Sequence, residues 1–109
     1  MKELDEYQNF AWETAIYPTD MRIIYPALGL AGETGEVVDK IKKVYRDNDR
    51  EFDYEHKKAI AKELGDVLWY VANIAEDLGY RLSEIVQMNV DKINSRRERN
   101  VMHGEGDDR

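Results

Sequence analysis

Four carboxylates arranged in two pairs are the side chains of this chain best suited to chemistry. Glu33 and Glu36 are three residues apart in LAGETGEV, and Glu63 and Asp66 are three residues apart in KELGDVLWYV. On a helix this spacing puts both side chains on one face, with about 5–6 Å between them. Two charges about 6 Å apart repel by roughly 3 kcal/mol at an effective dielectric near 20. The repeated pairs therefore indicate a divalent-cation site, and oxygen ligands without histidine favour Mg²⁺ or Mn²⁺.

Both pairs lie at the edge of an apolar helix stripe. A rotation of about 100° per residue places Val37 and Val44 beside the first pair, and Val67 and Ile74 beside the second. Packed helices approach to about 8–10 Å, so the two acidic edges can face each other across a gap for one or two cations. The alternative is that each pair lies on a solvated helix face, as a single acidic pair usually does. Because the acidic pair occurs twice, we favour the metal site.

Iron is disfavoured as the metal. A di-iron helical bundle uses Glu-x-x-His motifs on two helices, whereas the only histidines of this chain are His56 and His103. Asp53 stands three residues before His56, but this position is better explained as the N-cap of a helix.

The elements that must position these carboxylates are helices. Pro18 ends the first helix, Pro26 lies in the first turn of the second, Asp53 caps the third, Gly79 ends it, and Ser83 caps the fourth. Strand signals are weak throughout. Four amphipathic helices are predicted, at residues 4–16, 26–47, 54–78 and 84–97. The expected fold class is an all-α, four-helix-bundle-like domain.

Composition narrows the classes of function. At 109 residues the chain makes one domain with a core of its own. Its net charge of −7 argues against a surface for nucleic-acid polymers. It has no cysteine, no apolar run of about 18 residues and a charged N-terminus unlike a secretory signal. We therefore expect a soluble cytoplasmic protein without a membrane partner.

With these residues in place, the chain resembles the MazG-type nucleoside triphosphate pyrophosphohydrolases of the all-α NTP pyrophosphatase group. The resemblance rests on E-x-x-E in LAGETGEV followed by E-x-x-D in KELGDVLWYVANIA. It implies a single domain over residues 1–97, with Glu33, Glu36, Glu63 and Asp66 as ligands of Mg²⁺. The implied reaction is NTP + H₂O → NMP + pyrophosphate, by attack at the α-phosphorus, with Glu36 or Glu63 orienting the water. Many members open the first motif with two adjacent glutamates, whereas here a glycine precedes Glu33, which leaves the number of metal ions open.

The resemblance also implies substrate contacts. Asn73 matches a polar position near the nucleotide, and Asn89, Lys92 and Arg96 on the fourth helix match residues that hold phosphates. The alternative is that these basic residues only stabilise the C-terminal end of the helix by interacting with its dipole. Gln8 and Trp12 on the first helix are candidates for the nucleobase platform, although a tryptophan in a bundle is more often part of the core.

The tail, residues 98–109, has the composition of a frayed polar terminus. It is nevertheless similar to a Gly-x-Gly-Asp-x-Arg ending of some small MazG-like proteins, which implies that Arg109 and its neighbours fold over the site when ligand binds. Related folds assemble further, so we expect a homodimer or homotetramer. Two other functions stay open: a dCTP-type or phosphoribosyl-ATP pyrophosphohydrolase, and a non-catalytic acidic helical adaptor.

Overall fold

All 109 residues are described by the computed structural model, and the fold is all-α as predicted. A short 3₁₀ turn over Thr19–Met21 precedes the second helix, and no strand is present. None of the helices combines the length and apolarity that a membrane span needs. The four α-helices are α1 (Lys2–Thr14), α2 (Ile24–Asp47), α3 (Tyr54–Leu78) and α4 (Leu82–Glu98).

Both ends of α3 form as the local sequence predicts. At its N-terminus the Asp53 carboxylate accepts the backbone N–H of His56 at 3.0 Å, which confirms the cap. At its C-terminus Gly79 adopts φ +81°, a left-handed conformation that glycine tolerates without steric cost.

The N-terminus of α4 is capped by side chains of α1, so the predicted Ser83 cap is wrong. Arg81 is the residue that precedes the helix, and Ser83 lies one residue inside it. The Asp5 carboxylate accepts the Ser83 backbone N–H at 3.0 Å and the Ser83 hydroxyl at 2.8 Å. These hydrogen bonds, with the nearby Arg81, hold the pKa of Asp5 below its usual value. Leu82 donates its N–H to Gln8 Oε1 at 2.6 Å.

Gln8 of α1 joins the end of α3 to the start of α4 and is fully buried. Its amide nitrogen donates to Glu76 Oε2 at 2.8 Å and to the Tyr80 carbonyl at 2.9 Å, while its oxygen accepts from Leu82. The side chain therefore has no exposed atom and no free polar group. Gln8 thus holds this helix junction together, and its role in the substrate site stays a prediction.

The hydrophobic core lies at the same junction. Ala11 of α1, Ala72 of α3 and Leu82 of α4 are buried together, and the small side chains of the two alanines let α1 and α3 approach closely. The larger residues packed around them are Leu4, Tyr7, Trp69 and Val71.

The link between α1 and α2 is anchored on α3. The Tyr17 hydroxyl and the Ile23 backbone N–H both donate to Asp77 Oδ2 at 2.9 Å. Ile23 has φ +67°, which is rare for a β-branched residue. Because Ile23 immediately precedes α2, this contact positions the start of α2 against the C-terminal part of α3.

The chain by itself is extended and has a small core. Nine of its 109 residues are buried, and its radius of gyration is 16.8 Å, whereas about 13 Å is expected for a compact domain of this length. Large apolar side chains are exposed on two helix faces: Val38 and Ile41 on α2, and Leu64 and Leu68 on α3.

Replacing Gln8 with leucine tests the helix junction. We expect Gln8→Leu to lower the free energy of unfolding by roughly 2–5 kcal/mol, because it leaves the Tyr80 carbonyl and the Leu82 N–H buried without partners. Gln87→Leu is the matched control, since Gln87 is exposed and the expected change is within about 0.5 kcal/mol. Denaturant unfolding at one fixed protein concentration measures both. Equal effects of the two substitutions would contradict the junction role.

Candidate metal centre

Three carboxylates from α2 and α3 converge. Glu33 of α2 and Glu63 and Asp66 of α3 each place an oxygen within 4.8 Å of the others, and we call these three residues the acidic cluster. Glu33 and Glu63 are half-buried, and Asp66 is exposed. The predicted meeting of the two acidic helix edges is therefore present in the structure for three of the four residues.

Close packing of Tyr70 on Gly29 sets the register of the two helices at one end of the cluster. A Cβ atom on Gly29 would lie 2.1 Å from Cε1 of Tyr70, so the ring lies directly against the α2 backbone. Gly29 is one turn before Glu33, and Tyr70 is one turn after Asp66. Burial raises the pKa of Tyr70, and its neighbours Tyr25, Glu33 and Asp66 raise it further.

Lys40 marks the other end of the cluster. Its Nζ lies 3.7 Å from Glu63 Oε1, so it partly neutralises the acidic edge. Lys43, one turn further, pairs instead with Asp39 at 2.8 Å. Beyond Lys40 a cavity of about 210 Å³ opens between α2 and α3, lined by Lys40, Lys43, Val44, His56, Ala59 and Ile60. The sequence had not indicated this cavity, because its walls come from helix turns without a recognisable motif.

The electrostatics of the cluster favour a cation. Partial burial raises the pKa of Glu33, as do its hydrogen bond with Glu63 and the negative charges of Asp66, Glu63 and Glu36. Glu33 therefore resists ionisation in the folded chain without a cation. A divalent ion would remove this repulsion.

The donor set fits Mg²⁺ or Mn²⁺. All three groups offer carboxylate oxygens, and Mg²⁺ in proteins commonly binds one or two carboxylates together with waters and phosphate oxygens. A sulfur or imidazole ligand, which softer metals prefer, is absent from the cluster. The acidic cluster thus offers the kind of donor atom that such an ion takes from a protein.

Glu36 stands apart from the three converging residues. It is exposed, and no hydrogen bond or ion pair holds its carboxylate. Of the four ligands that the resemblance implies, three carboxylates therefore lie together. The fourth, Glu36, projects freely from the edge of α2 that carries Glu33.

Space is open beside the acids where glycines line the helices. A Cβ atom on Gly32, Gly35 or Gly65 would meet nothing within 4 Å. Each glycine inside a helix costs about 1 kcal/mol relative to alanine. Packing within the chain does not require these three glycines, unlike Gly29.

Comparison with known proteins identifies the family. Residues 26–101 match the family model described as the MazG nucleotide pyrophosphohydrolase domain. The chain belongs to the MazG family. It is also 42% identical over 112 residues to the "Gene 37 protein" of Mycobacterium phage L5, an alignment that covers 97% of this chain and 98% of the phage protein. No solved structure matches the chain. The matched range contains the whole acidic cluster, so MazG membership supports a nucleotide pyrophosphohydrolase.

Two side chains were suggested for the nucleoside, Asn73 inside the range that matches the MazG domain and Trp12 on α1 before it. Asn73 is ten residues from Glu63, which is about 15 Å along α3. It is fully buried and donates to the carbonyls of Trp69 at 3.1 Å and Ala11 at 3.4 Å, while its Oδ1 is buried without a partner. Trp12 is half-buried, with the Arg22 guanidinium 5.2 Å from its ring centre.

The suggested phosphate-binding residues are not joined to the acidic cluster within the chain. Lys92 and Arg96 on α4 both contact Asp107 of the tail, and Asn89 is exposed. The Arg109 side chain donates to three carbonyls of the tail itself, those of Val101, Met102 and Gly106. No hydrogen bond or ion pair links any of these side chains to α2 or α3.

The charge repulsion in the cluster predicts how stability changes with pH. Because the pKa of Glu33 is raised on folding, its contribution is most favourable below the usual glutamate pKa and is lost as the pH rises through the range where folded Glu33 ionises. In metal-free protein, we expect Glu33→Gln to reduce the loss of stability between about pH 4 and pH 7. The free energy of unfolding measured across this range tests the expectation.

Adding Mg²⁺ gives a second readout of the same variant. We expect Mg²⁺ to raise the melting temperature of the wild-type chain by several degrees, and to raise that of Glu33→Gln much less. Glu13→Gln on exposed α1 surface is the control and should behave as wild type in both measurements. A Glu33→Gln variant with wild-type pH and Mg²⁺ responses would contradict the cation site.

Proposed function

We propose that this protein is a Mg²⁺-dependent nucleoside triphosphate pyrophosphohydrolase, with Mn²⁺ as a substitute ion. The reaction converts a ribo- or deoxyribonucleoside triphosphate and water into the monophosphate and pyrophosphate. The acidic cluster carries the proposal, because three carboxylates from two helices meet inside the range that matches the MazG family. A nucleoside triphosphate substrate also implies the cytoplasm as the compartment.

Glu33, Glu63 and Asp66 would hold the metal ion. When bound, the ion supplies positive charge that neutralises the phosphate oxygens and the carboxylates together. Glu33 and Glu63 are half-buried, which supports their role as two of the three proposed ligands. Tyr70 packs tightly on Gly29 and keeps α2 and α3 in the register that the ligand set needs.

Glu36 is suited to orient the attacking water, a role for which Glu63 is the other candidate. The Glu36 carboxylate has no partner in the chain and is exposed on the edge of α2 that carries Glu33. A water held there forms a bond to the α-phosphorus, the bond from that phosphorus to the bridging oxygen breaks, and pyrophosphate leaves. The proton of the water passes to the carboxylate.

Cations and aromatic side chains complete the proposed substrate contacts. Phosphate oxygens would be bound by Lys92, Arg96 and Asn89 of α4. Arg109 belongs to the tail whose Asp107 contacts Lys92 and Arg96. Asn73 and Trp12 lie toward the core junction and would contact the nucleoside end. The Oδ1 of Asn73 has no partner but is fully buried, so a contact with the nucleoside would require the helices around it to open.

We also propose that the protein is a homodimer or a homotetramer. A radius of gyration of 16.8 Å with nine buried residues leaves the apolar faces of α2 and α3 without cover. A second copy is the partner that can bury equivalent faces in a closed, symmetric contact.

A nucleotide panel tests the activity. We expect pyrophosphate release from at least one nucleoside triphosphate in the presence of Mg²⁺, and a loss of at least about 100-fold for Glu63→Gln. Glu55→Gln, the same change on the exposed first turn of α3, is the matched control and should keep wild-type activity. Product analysis that includes dCTP and phosphoribosyl-ATP separates the related pyrophosphohydrolases.

Failure of this panel points to a different class of protein. If no nucleotide gives pyrophosphate and Mg²⁺ leaves the melting temperature unchanged, the chain is a helical adaptor whose acidic pairs are solvated surface. If Glu63→Gln retains full activity, the metal centre is assigned to the wrong residues.

Sedimentation equilibrium at micromolar concentration tests the assembly. We expect a mass of at least twice the 12.8 kDa of one chain, and a shift toward monomer for Leu68→Lys, which places charge on the exposed face of α3. Ile16→Lys is the control, because Ile16 is 96% exposed on the link between α1 and α2. A wild-type monomer would refute the assembly.

A further inference from the structure

The tail after α4, residues 99–109, is folded onto that helix and puts one carboxylate on its basic pair. Asp107 Oδ1 accepts from Lys92 Nζ at 2.7 Å and lies 3.3 Å from Nη2 of Arg96. The Asp107 main-chain carbonyl also accepts from Arg96. An anion of the chain therefore stands where the proposed function requires a phosphate.

The tail is built to hold this position. Its last residue, Arg109, donates to the carbonyls of Val101 at 3.1 Å, Met102 at 2.6 Å and Gly106 at 2.8 Å. Gly104 adopts φ +149°, and a Cβ atom there would lie 3.0 Å from Cδ of Arg109. The glycines and the terminal arginine thus make a closed loop that presents Asp107.

Exposure differs sharply between the two sides of this contact. The Arg96 side chain is 11% exposed, whereas that of Asp107 is 75% exposed. Arg96 is therefore a fixed part of the helix surface, and Asp107 reaches it from solvent. Asp107 is therefore the side of the contact that solvent reaches.

Arg96 also keeps hydrogen-bonding capacity that Asp107 does not use. Its Nε is buried without an acceptor, while a guanidinium has five N–H donors. Asp107 offers only Oδ1 and a main-chain carbonyl. A phosphate group has more oxygens in a compact arrangement and can satisfy donors that one carboxylate oxygen leaves free.

We propose that the tail is a built-in competitor, in which Asp107 occupies the Lys92–Arg96 pair and is displaced by the phosphate chain of the substrate. The inference rests on the proposed function, in which this pair binds phosphate. Lys92 holds the pKa of Asp107 below its usual value, and Arg96 lowers it further, so the competing charge is present at neutral pH.

The competition lowers the affinity of the enzyme for polyphosphates. Ion pairs with an exposed partner are weak, and two such contacts correspond to a change of about two- to tenfold in Kd. Asp107→Asn removes the charge and keeps the shape of the tail. Asp108→Asn is the matched control, because it makes the same charge change at the neighbouring residue, which has no bond to Lys92 or Arg96.

The experiment titrates inorganic tripolyphosphate into the full-length chain by calorimetry and follows amide hydrogen exchange of residues 101–109. We expect Asp107→Asn to bind tripolyphosphate about two- to tenfold more tightly than wild type, and Asp108→Asn to bind as wild type does. In the wild-type chain, tripolyphosphate should speed exchange in the tail, because the loop leaves α4. The double variant with Lys92→Gln and Asp107→Asn should lose the tighter binding of tripolyphosphate that Asp107→Asn alone gives.

Three results would overturn the proposal. Weaker binding by Asp107→Asn, with slower tail exchange on adding tripolyphosphate, would make the tail a lid that closes over ligand. Equal affinity of Asp107→Asn and wild type would make it a structural end of α4. Neither measurement needs turnover, so the nucleotide panel tests the proposed activity separately. An active enzyme whose Asp107→Asn variant keeps the wild-type KM overturns the inference alone.

Discussion

The structure depends on the antiparallel register between α2 and α3, which forces like charges together. Tyr70 lies against the backbone at Gly29, and Lys40 reaches Glu63 some ten residues further along α2. Between these two contacts, Glu33 has no position except beside Glu63 and Asp66. Packing at Gly29 and the hydrogen bonds from the α1–α2 link to Asp77 hold the two helices together against this repulsion. Keeping the carboxylates this close lowers the stability of the folded chain, as is common at sites that bind a cation.

The other two helices are joined through polar groups rather than a large apolar core. Asp5 and Gln8 of α1 satisfy the backbone N–H groups at the start of α4, and Gln8 also holds the end of α3. These contacts order the junction that surrounds Ala11, Ala72 and Leu82. With so little apolar burial, the hydrogen bonds decide where α4 begins and hence where Lys92 and Arg96 lie.

How much the sequence predicts depends on how far apart the partners are in the chain. Asp53 and Gly79 were predictable as helix ends because each acts on residues within a few positions. Ser83 was misassigned because its partner, Asp5, is 78 residues away. The helical rotation put the acidic pairs on the correct edges, since it follows from spacing alone. It could not show that Glu36 stays outside the cluster, nor that Asn73 is about 15 Å along the axis from Glu63.

Several cations that the proposed function places at or near the site are already paired within the chain. Lys40 is held by Glu63, Lys43 by Asp39, and both Lys92 and Arg96 by Asp107. With a net charge of −7, these cations are surrounded by carboxylates that compete for them. Under the proposed function, binding of a polyphosphate would therefore be an exchange, in which new ion pairs form as old ones break. The net affinity would be the difference between the two sets, and a metal ion in the acidic cluster would compete with Lys40 for Glu63.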